Sequence, residues 1–395
     1  MLLGGSEGPL ARYDSIVVGL GGAGSSAAYH LAANGQNVLG LEQFELLHAN
    51  GSSHGKTRIY RTAYSEGPMY VPMVRRAQEL WYLLQRESGT PIIQQTGGLF
   101  LGRPGSRLVS GARRTAETLS LPHEVYSADA VRDRFPQFQV RDDEAAVWDP
   151  AAGALFTENC IRSHCDGARN GGAELRFSEP VIRWSASSEG VEVRTARGEY
   201  RARSLVLTAG AWTGGLLRDL GLPLRIERQV VTWFPTAEGP LVRPGRMPVF
   251  LWDQGADREK YGLPDFGDGV KVGSWGGKGA TSPETADRAF SESEAREARE
   301  FAEHSLRGVE PRVSAWTTCL YTLTPDRDFV IDRHPRHSNV VVVSACSGHG
   351  FKFTSVLGEV AARLAEGDAA GFDLTPFRAT RFSSRSGQSD SATAN

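Results

Sequence analysis

Apolar residues recur along this chain at two spacings, and the points where one spacing gives way to the other mark out its elements. Ile16, Val17 and Val18 form a short β-branched run suited to a central parallel strand; Gly19, Gly21 and Gly24 follow at once, and Ser25 to Leu31 continue as a helix. Asn34-Gly35 is a helix stop, and Asn37 to Leu41 predict a second strand that ends at Glu42. From Tyr70 to Ser88 the residues Val71, Val74, Ala77, Leu80, Trp81 and Leu84 share one helical face, opposite Arg75, Arg76 and Glu79. Ile92 to Gly102 reads as a hairpin broken at Gly97-Gly98, followed by a strand near Val147 and a helix over Thr157 to Ala168. Val181 to Leu207 is a strand meander with turns at Ser188-Glu189-Gly190 and Arg197-Gly198, and it runs into a small-residue turn before Trp212.

Strands at Gln229 to Phe234, Pro248 to Trp252 and Gly269 to Trp275, with a charged helix over Ser291 to His304, predict an antiparallel sheet with a helix on one side. Asp328 to Asp332 and Asn339 to Ser344 are again parallel-type strands, and a helix from Phe351 places Val356, Leu357, Val360, Ala361 and Leu364 on one stripe. The fold class is α/β: a Rossmann-like dinucleotide-binding domain (12–90, 151–225 and 326–380) with a second, antiparallel-sheet α+β substrate domain (91–150 and 226–325). Residues 1–11 and 383–395, rich in small and polar residues, are expected to be disordered tails.

The glycine run carries the first chemistry. In G-x-G-x-x-G the first glycine makes the tight turn, the second admits a pyrophosphate against the backbone, and the third lets helix and strand pack closely. Gly22 and Ala23 complete the phosphate-facing turn. Glu42 lies about 20 residues further on, where a ribose 2′-hydroxyl is bound, and it disfavours a 2′-phosphate. NAD and FAD both satisfy this motif. A nucleotide domain interrupted twice by another domain favours FAD, whose ring reaches beyond the nucleotide site.

Composition narrows the picture further. With 395 residues, 23% charged and a formal net charge of -2, the chain has no polyanion-binding character, so no nucleic-acid partner is expected. No apolar run approaches the roughly 18 residues of a membrane helix, and Met1 to Arg12 lack a signal-peptide core, so no membrane partner and a cytoplasmic location are expected. Four cysteines without a C-x-x-C pair imply neither a disulfide framework nor a metal site.

Four motifs together carry a resemblance from Tyr13 to about Phe377. They are the glycine run; Asn50-Gly-Ser-Ser-His-Gly-Lys-Thr-Arg-Ile-Tyr-Arg with its continuation to Glu66; Cys319-Leu-Tyr-Thr-Leu-Thr-Pro-Asp; and Ser347-Gly-His-Gly-Phe-Lys-Phe. The chain resembles the monomeric sarcosine oxidase, N-methyltryptophan oxidase and pipecolate oxidase family. That resemblance implies an FAD amine oxidase, monomeric, taking a small secondary amino acid and O2 as its partners and forming H2O2. It implies covalent flavin attachment at Cys319, where the plain alternative is a buried cysteine. It implies a substrate carboxylate held by Arg61 and Lys352. A cation in the first turn of a helix opposes the macrodipole, so Lys352 itself calls for an anion. The N–H groups of Gly348, His349, Gly350 and Phe351 would face the flavin.

Lys271, alternating with Val270 and Val272 on its strand, matches the family's oxygen-activating lysine, with Lys278 as the rival. His54, Arg58 and Glu66 match the loop that lines the flavin, and Tyr261 and Tyr321 match active-site tyrosines. Trp275 stands where simple sarcosine oxidases carry a histidine, which opens the case for a larger or cyclic substrate; Trp233, Trp252 and Trp316 are further candidates to approach it. Two successive oxidations, or electron delivery to a partner instead of oxygen, stay open as alternatives.

Overall fold

The computed structural model describes residues 12–237, 239–255, 258–276 and 279–382. The expected tails and Lys278 lie outside the described residues. The chain divides into two compact units, one of residues 1–48, 161–225 and 322–395, the other of 49–160 and 226–321. Segments 49–90 and 151–160, expected in the dinucleotide unit, fall in the second. Their strands Thr57–Tyr60 and Gly153–Phe156 pair with each other, and Gly153–Phe156 pairs on its other side with Ile93–Gln95, in a small separate sheet.

The first unit is built on parallel strands in the order Glu174–Arg176, Val38–Leu41, Arg12–Val18, Glu199–Leu207, His337–Ser344. Val330–His334 adds antiparallel to the last, and the hairpin Val181–Ser187 with Gly190–Thr195 pairs the front half of Glu199–Leu207. Ile16, Leu39, Leu205 and Val340 are fully buried in its core. Each such aliphatic side chain contributes about 1.5–3 kcal/mol on leaving water. The helices Gly22–Ala33 and Thr354–Glu366 pack on each other, and the Ser26 hydroxyl donates to the Ser355 carbonyl at 3.0 Å.

Besides the small sheet, the second unit holds a nine-stranded one. Its path runs Ala280–Thr281, Arg225–Phe234, Val270–Trp275, Glu259–Leu263, Val249–Asp253, Gly98–Gly102, Ala145–Asp149, Glu124–Ser127, with Ala315–Leu323 also on Arg225–Phe234. The expected antiparallel sheet is mixed: Gly98–Gly102 and Val249–Asp253 run parallel. These strands lie far apart in sequence, so no tight turn dictates their sense. The hairpin expected at Gly97-Gly98 does not form. Gly97, at φ 70°, instead turns the chain from the small sheet into the large one. The strand Glu259–Leu263 was not foreseen. On one face, Phe250, Trp252, Leu99, Leu101, Val270, Val272 and Phe234 form a core with Phe301 and Ala302 of the helix Glu292–Ser305. Ser291 starts that helix with a capping box: its hydroxyl accepts from the Glu294 N–H, and the Glu294 side chain accepts from the Ser291 N–H.

Candidate active site

In the first unit the glycine turn is as tight as its spacing demands. Gly19 has φ 90°, and a Cβ on Gly24 would lie 1.7 Å from the Gly19 carbonyl oxygen, so neither position accepts a side chain. Gly21 caps the helix Gly22–Ala33 with no side-chain cap over its first turn. Glu42, 5% exposed, is held by the N–H of Leu20 at 2.8 Å and that of Phe44 at 3.1 Å. Burial raises its pKa, and those N–H groups oppose the shift.

The Ser347–Phe353 segment folds on itself more than expected. The N–H groups of His349 and Gly350 donate to the Cys346 carbonyl at 2.8 and 2.9 Å, so two of the four backbone donors assigned to a flavin are already engaged. Lys352 lies in a short 3-10 turn before the helix and is buried, and its ammonium donates to the His349 carbonyl at 2.6 Å.

The second unit gathers the remaining candidates on the face of its sheet opposite the apolar core. Antiparallel pairing sets Trp233 against Lys271, Leu263 against Lys271, Tyr261 against Gly273 and Glu259 against Trp275, and residues directly opposite share a face. The same rows continue through Leu251 to Phe100. Lys271 is 2% exposed, and its amine donates to the carbonyls of Gly55 and Thr57, each at 2.7 Å. It lies 5.4 Å from the centre of the Trp233 ring. Burial, then the nearby Arg58 charge, push its pKa well below the ordinary lysine value. Arg58 donates to the Thr57 carbonyl at 2.8 Å and to the Ser52 carbonyl at 2.7 Å, so two cations share one carbonyl oxygen.

His54 is 2.8 Å from the Thr318 carbonyl through Nε2, and burial reinforced by Arg58 lowers its pKa to about 4. A neutral ring that donates from Nε2 leaves Nδ1 as an acceptor, and Nδ1 has no hydrogen-bond partner among the described residues. Arg61 is 3% exposed and donates through Nη2 to both oxygens of Glu66, at 2.5 and 2.7 Å, with the Tyr64 ring 4.2 Å from its guanidinium carbon. Burial, the largest single influence, pulls its pKa down, but Glu66, Tyr64 and Glu259 together turn the net shift upward.

A Cβ on Gly273 would lie 2.3 Å from the Tyr261 ring, so the glycine leaves the space that ring occupies. Tyr261 and Tyr321 share a hydrogen bond, and burial pushes Tyr261 up to about 12 and Tyr321 well above its ordinary value. Both are neutral phenols at pH 7 and serve as hydrogen-bonding groups, not bases. Tyr321 also packs 5.9 Å from the Trp275 ring. Cys319 is 2% exposed and interacts electrostatically with Lys271, Tyr261, Tyr321 and Arg288.

Two tryptophans leave the candidate set. Trp252 faces the apolar core, where its indole donates to Glu144 at 2.9 Å, and Trp316 is 44% exposed against Phe290. Glu259, Glu227 and Gln229 were missed, although strand alternation puts Glu227 and Gln229 on the Trp233 side of their strand and pairing puts Glu259 on the Lys271 face. Among the described residues no group of His, Cys, Asp and Glu is arranged to hold a metal, and no helix is long and apolar enough to cross a membrane.

Residues 14–364 match the family described as FAD dependent oxidoreductase. The chain is 43% identical over 363 residues to monomeric sarcosine oxidase of Streptomyces avermitilis, spanning 89% of this chain and 93% of that protein. It is 36% identical over 373 residues to N-methyl-L-tryptophan oxidase of Citrobacter koseri, spanning 94% and 99%. Among solved structures, NikD, an unusual amino acid oxidase essential for nikkomycin biosynthesis, matches with a TM-score of 0.83 at 25% identity, covering 93% of this chain and 97% of NikD. Within the first unit the residues present fit the nucleotide part of FAD: the Gly19–Gly24 turn keeps side chains away from its backbone, and Glu42 is fixed beside it by the Leu20 N–H. The chain belongs to the FAD dependent oxidoreductase family.

Proposed function

We propose that the protein oxidises the C–N bond of secondary amino acids, N-methyl or cyclic, with dioxygen as electron acceptor and H2O2 as product. The observation that carries this is the Lys271 amine, buried, held by two backbone carbonyls and lying beside Arg58 on the same sheet face as Tyr261. FAD, when bound, would supply the two-electron redox chemistry that links C–N oxidation to oxygen.

The chain's own residues supply the rest. Lys271, when protonated, sets a positive charge where a developing oxygen anion needs one. Arg61, its Nη2 edge fixed by Glu66 and its Nη1 making only a 3.4 Å contact to the Ser65 hydroxyl, is the cation on this face for a substrate carboxylate. Tyr261 and Tyr321 bound the substrate with neutral hydroxyls. No group on this face is required to take a proton from carbon, which suits a substrate whose neutral nitrogen lone pair expels hydride. Cys319 is the proposed point of covalent flavin attachment.

An anaerobic screen with sarcosine, N-methyltryptophan, proline and pipecolate tests the reading. At least one should bleach the bound flavin, and air should then return the oxidised spectrum with peroxide. Failure of all four rejects the activity, and bleaching without peroxide moves the protein to the dehydrogenases. Intact mass of the denatured protein tests the attachment: the FAD mass increment should be present in wild type and absent in Cys319→Ala.

A further inference from the structure

We propose that Glu259 selects for a substrate whose side chain carries a positive charge. This deepens the oxidase reading and rests on it. Glu259 lies on the strand Glu259–Leu263, two residues before Tyr261 and directly across from Trp275, on the face that also holds Lys271. Its register partner on the other neighbouring strand is Asp253. Among the described residues the Glu259 carboxylate has no hydrogen-bond or ion-pair partner. Every other carboxylate beside it is accounted for differently: Glu66 is committed to Arg61, and Asp253 accepts from the Gly255 N–H.

A carboxyl group left partly buried without a partner is unfavourable unless something else satisfies it. Burial pushes Glu259 up to about 7; Arg61 and Arg107 pull against that, and Glu66 and Asp253 add to it. Arg61 is thus close enough to Glu259 to interact with it, yet it forms its ion pair with Glu66. Along the strand Val270–Trp275, Trp275 stands four residues from Lys271, about 13 Å at the usual rise. An amino acid held by Arg61 with its reacting carbon toward the Lys271 end presents its side chain toward the Glu259 and Trp275 end. An ammonium there would give Glu259 a partner that no described residue supplies, while the Trp275 ring covers the intervening methylenes.

The test uses the holoenzyme and a pair of matched size, Nα-methylornithine and N-methylnorleucine. Wild type should prefer the ornithine derivative by about tenfold or more in kcat/KM, as a desolvated charge pair gives. The preference should grow between pH 6 and 8 as Glu259 ionises. In Glu259→Gln, and in Glu259→Leu should the first fold poorly, the ratio should fall to about one or invert. A wild-type ratio near one, or a ratio unchanged in the variants, overturns the proposal. The rise in Tm caused by each compound under nitrogen measures binding without turnover: equal shifts in wild type and variant overturn the selectivity whatever the rates. If neither compound nor any other secondary amino acid bleaches the flavin, the oxidase reading itself has failed, and the binding comparison still decides Glu259.

Discussion

The two faces of the nine-stranded sheet are made by the same strands, one residue apart, and they obey different rules. Val270 and Val272 point into a predominantly apolar core, while Lys271 between them is as deeply buried and is satisfied by two carbonyls. Phe250 and Trp252 flank Leu251 in the same way. One face stabilises the sheet through area removed from water, and the other places charged and polar groups in surroundings that shift their protonation. Because alternation links the two, a substitution that slips register would exchange them completely. The apolar face therefore fixes the geometry on which the polar face depends.

The contrast can be broken from either side. Phe250→Ala should remove about 3–5 kcal/mol of stability, read from denaturant unfolding, with the flavin reduction rate per folded molecule nearly unchanged. A large loss of rate without a loss of stability would mean the faces are not separable. Lys271→Met should slow flavin reoxidation by oxygen by about 10²–10³ while anaerobic reduction by substrate changes far less, as seen by stopped-flow absorbance. Since the lysine pKa is lowered and the ammonium is the active form, wild-type reoxidation should be fastest at low pH and decline as pH rises through that lowered value. A pH-independent rate would argue that Lys271 acts without its charge.

Gly273→Ala sharpens the comparison at one atom. Its Cβ would meet the Tyr261 ring at 2.3 Å, so about 1–3 kcal/mol of strain should appear together with a raised KM, the ring being displaced on the polar face alone. The smallest expected effect is on Glu259. Its folded pKa of about 7 exceeds the ordinary 4.5, so its protonated form stabilises the fold fully below about pH 4.5, and that contribution is lost as pH rises to about 7. Glu259→Gln has no such loss. Thermal melts should show the variant gaining on wild type by on the order of 1–2 kcal/mol between pH 4.5 and 8, allowing for solvent screening.

Much of this was legible because local signals agreed with one another. Ile16–Val18, the glycines and Asn34-Gly35 each dictate their own conformation, and the strand, turn and helix there depend on little else. Lys271 was placed on its face by alternation with Val270 and Val272. The strand Glu259–Leu263 was illegible because Glu259, Lys260 and Gly262 offer neither an apolar stripe nor β-branched residues, and its pairing comes from the neighbours on both sides. Trp252 could not be assigned to a face without knowing the register of Val249–Asp253 against Glu259–Leu263. The engagement of His349 and Gly350 by Cys346 follows from a turn in which Ser347 takes φ 34°, a conformation its residue type does not advertise.

The interleaving of the two units bears on how the chain is made. The first unit pairs Glu199–Leu207 with both Arg12–Val18 and His337–Ser344, and the second pairs Gly98–Gly102 with Val249–Asp253. During synthesis neither sheet can close when its first strand leaves the ribosome. Each first strand has one partner in its own segment, Val38–Leu41 or Ala145–Asp149, but must wait for the other, which follows a segment that belongs to the other unit. Loop-closure entropy delays such long-range pairing, and unfinished strand edges stay open meanwhile. The nascent chain therefore spends most of its elongation as two incomplete sheets, and its yield in a host cell should depend on chaperone capacity and growth temperature more than on the stability of the finished fold.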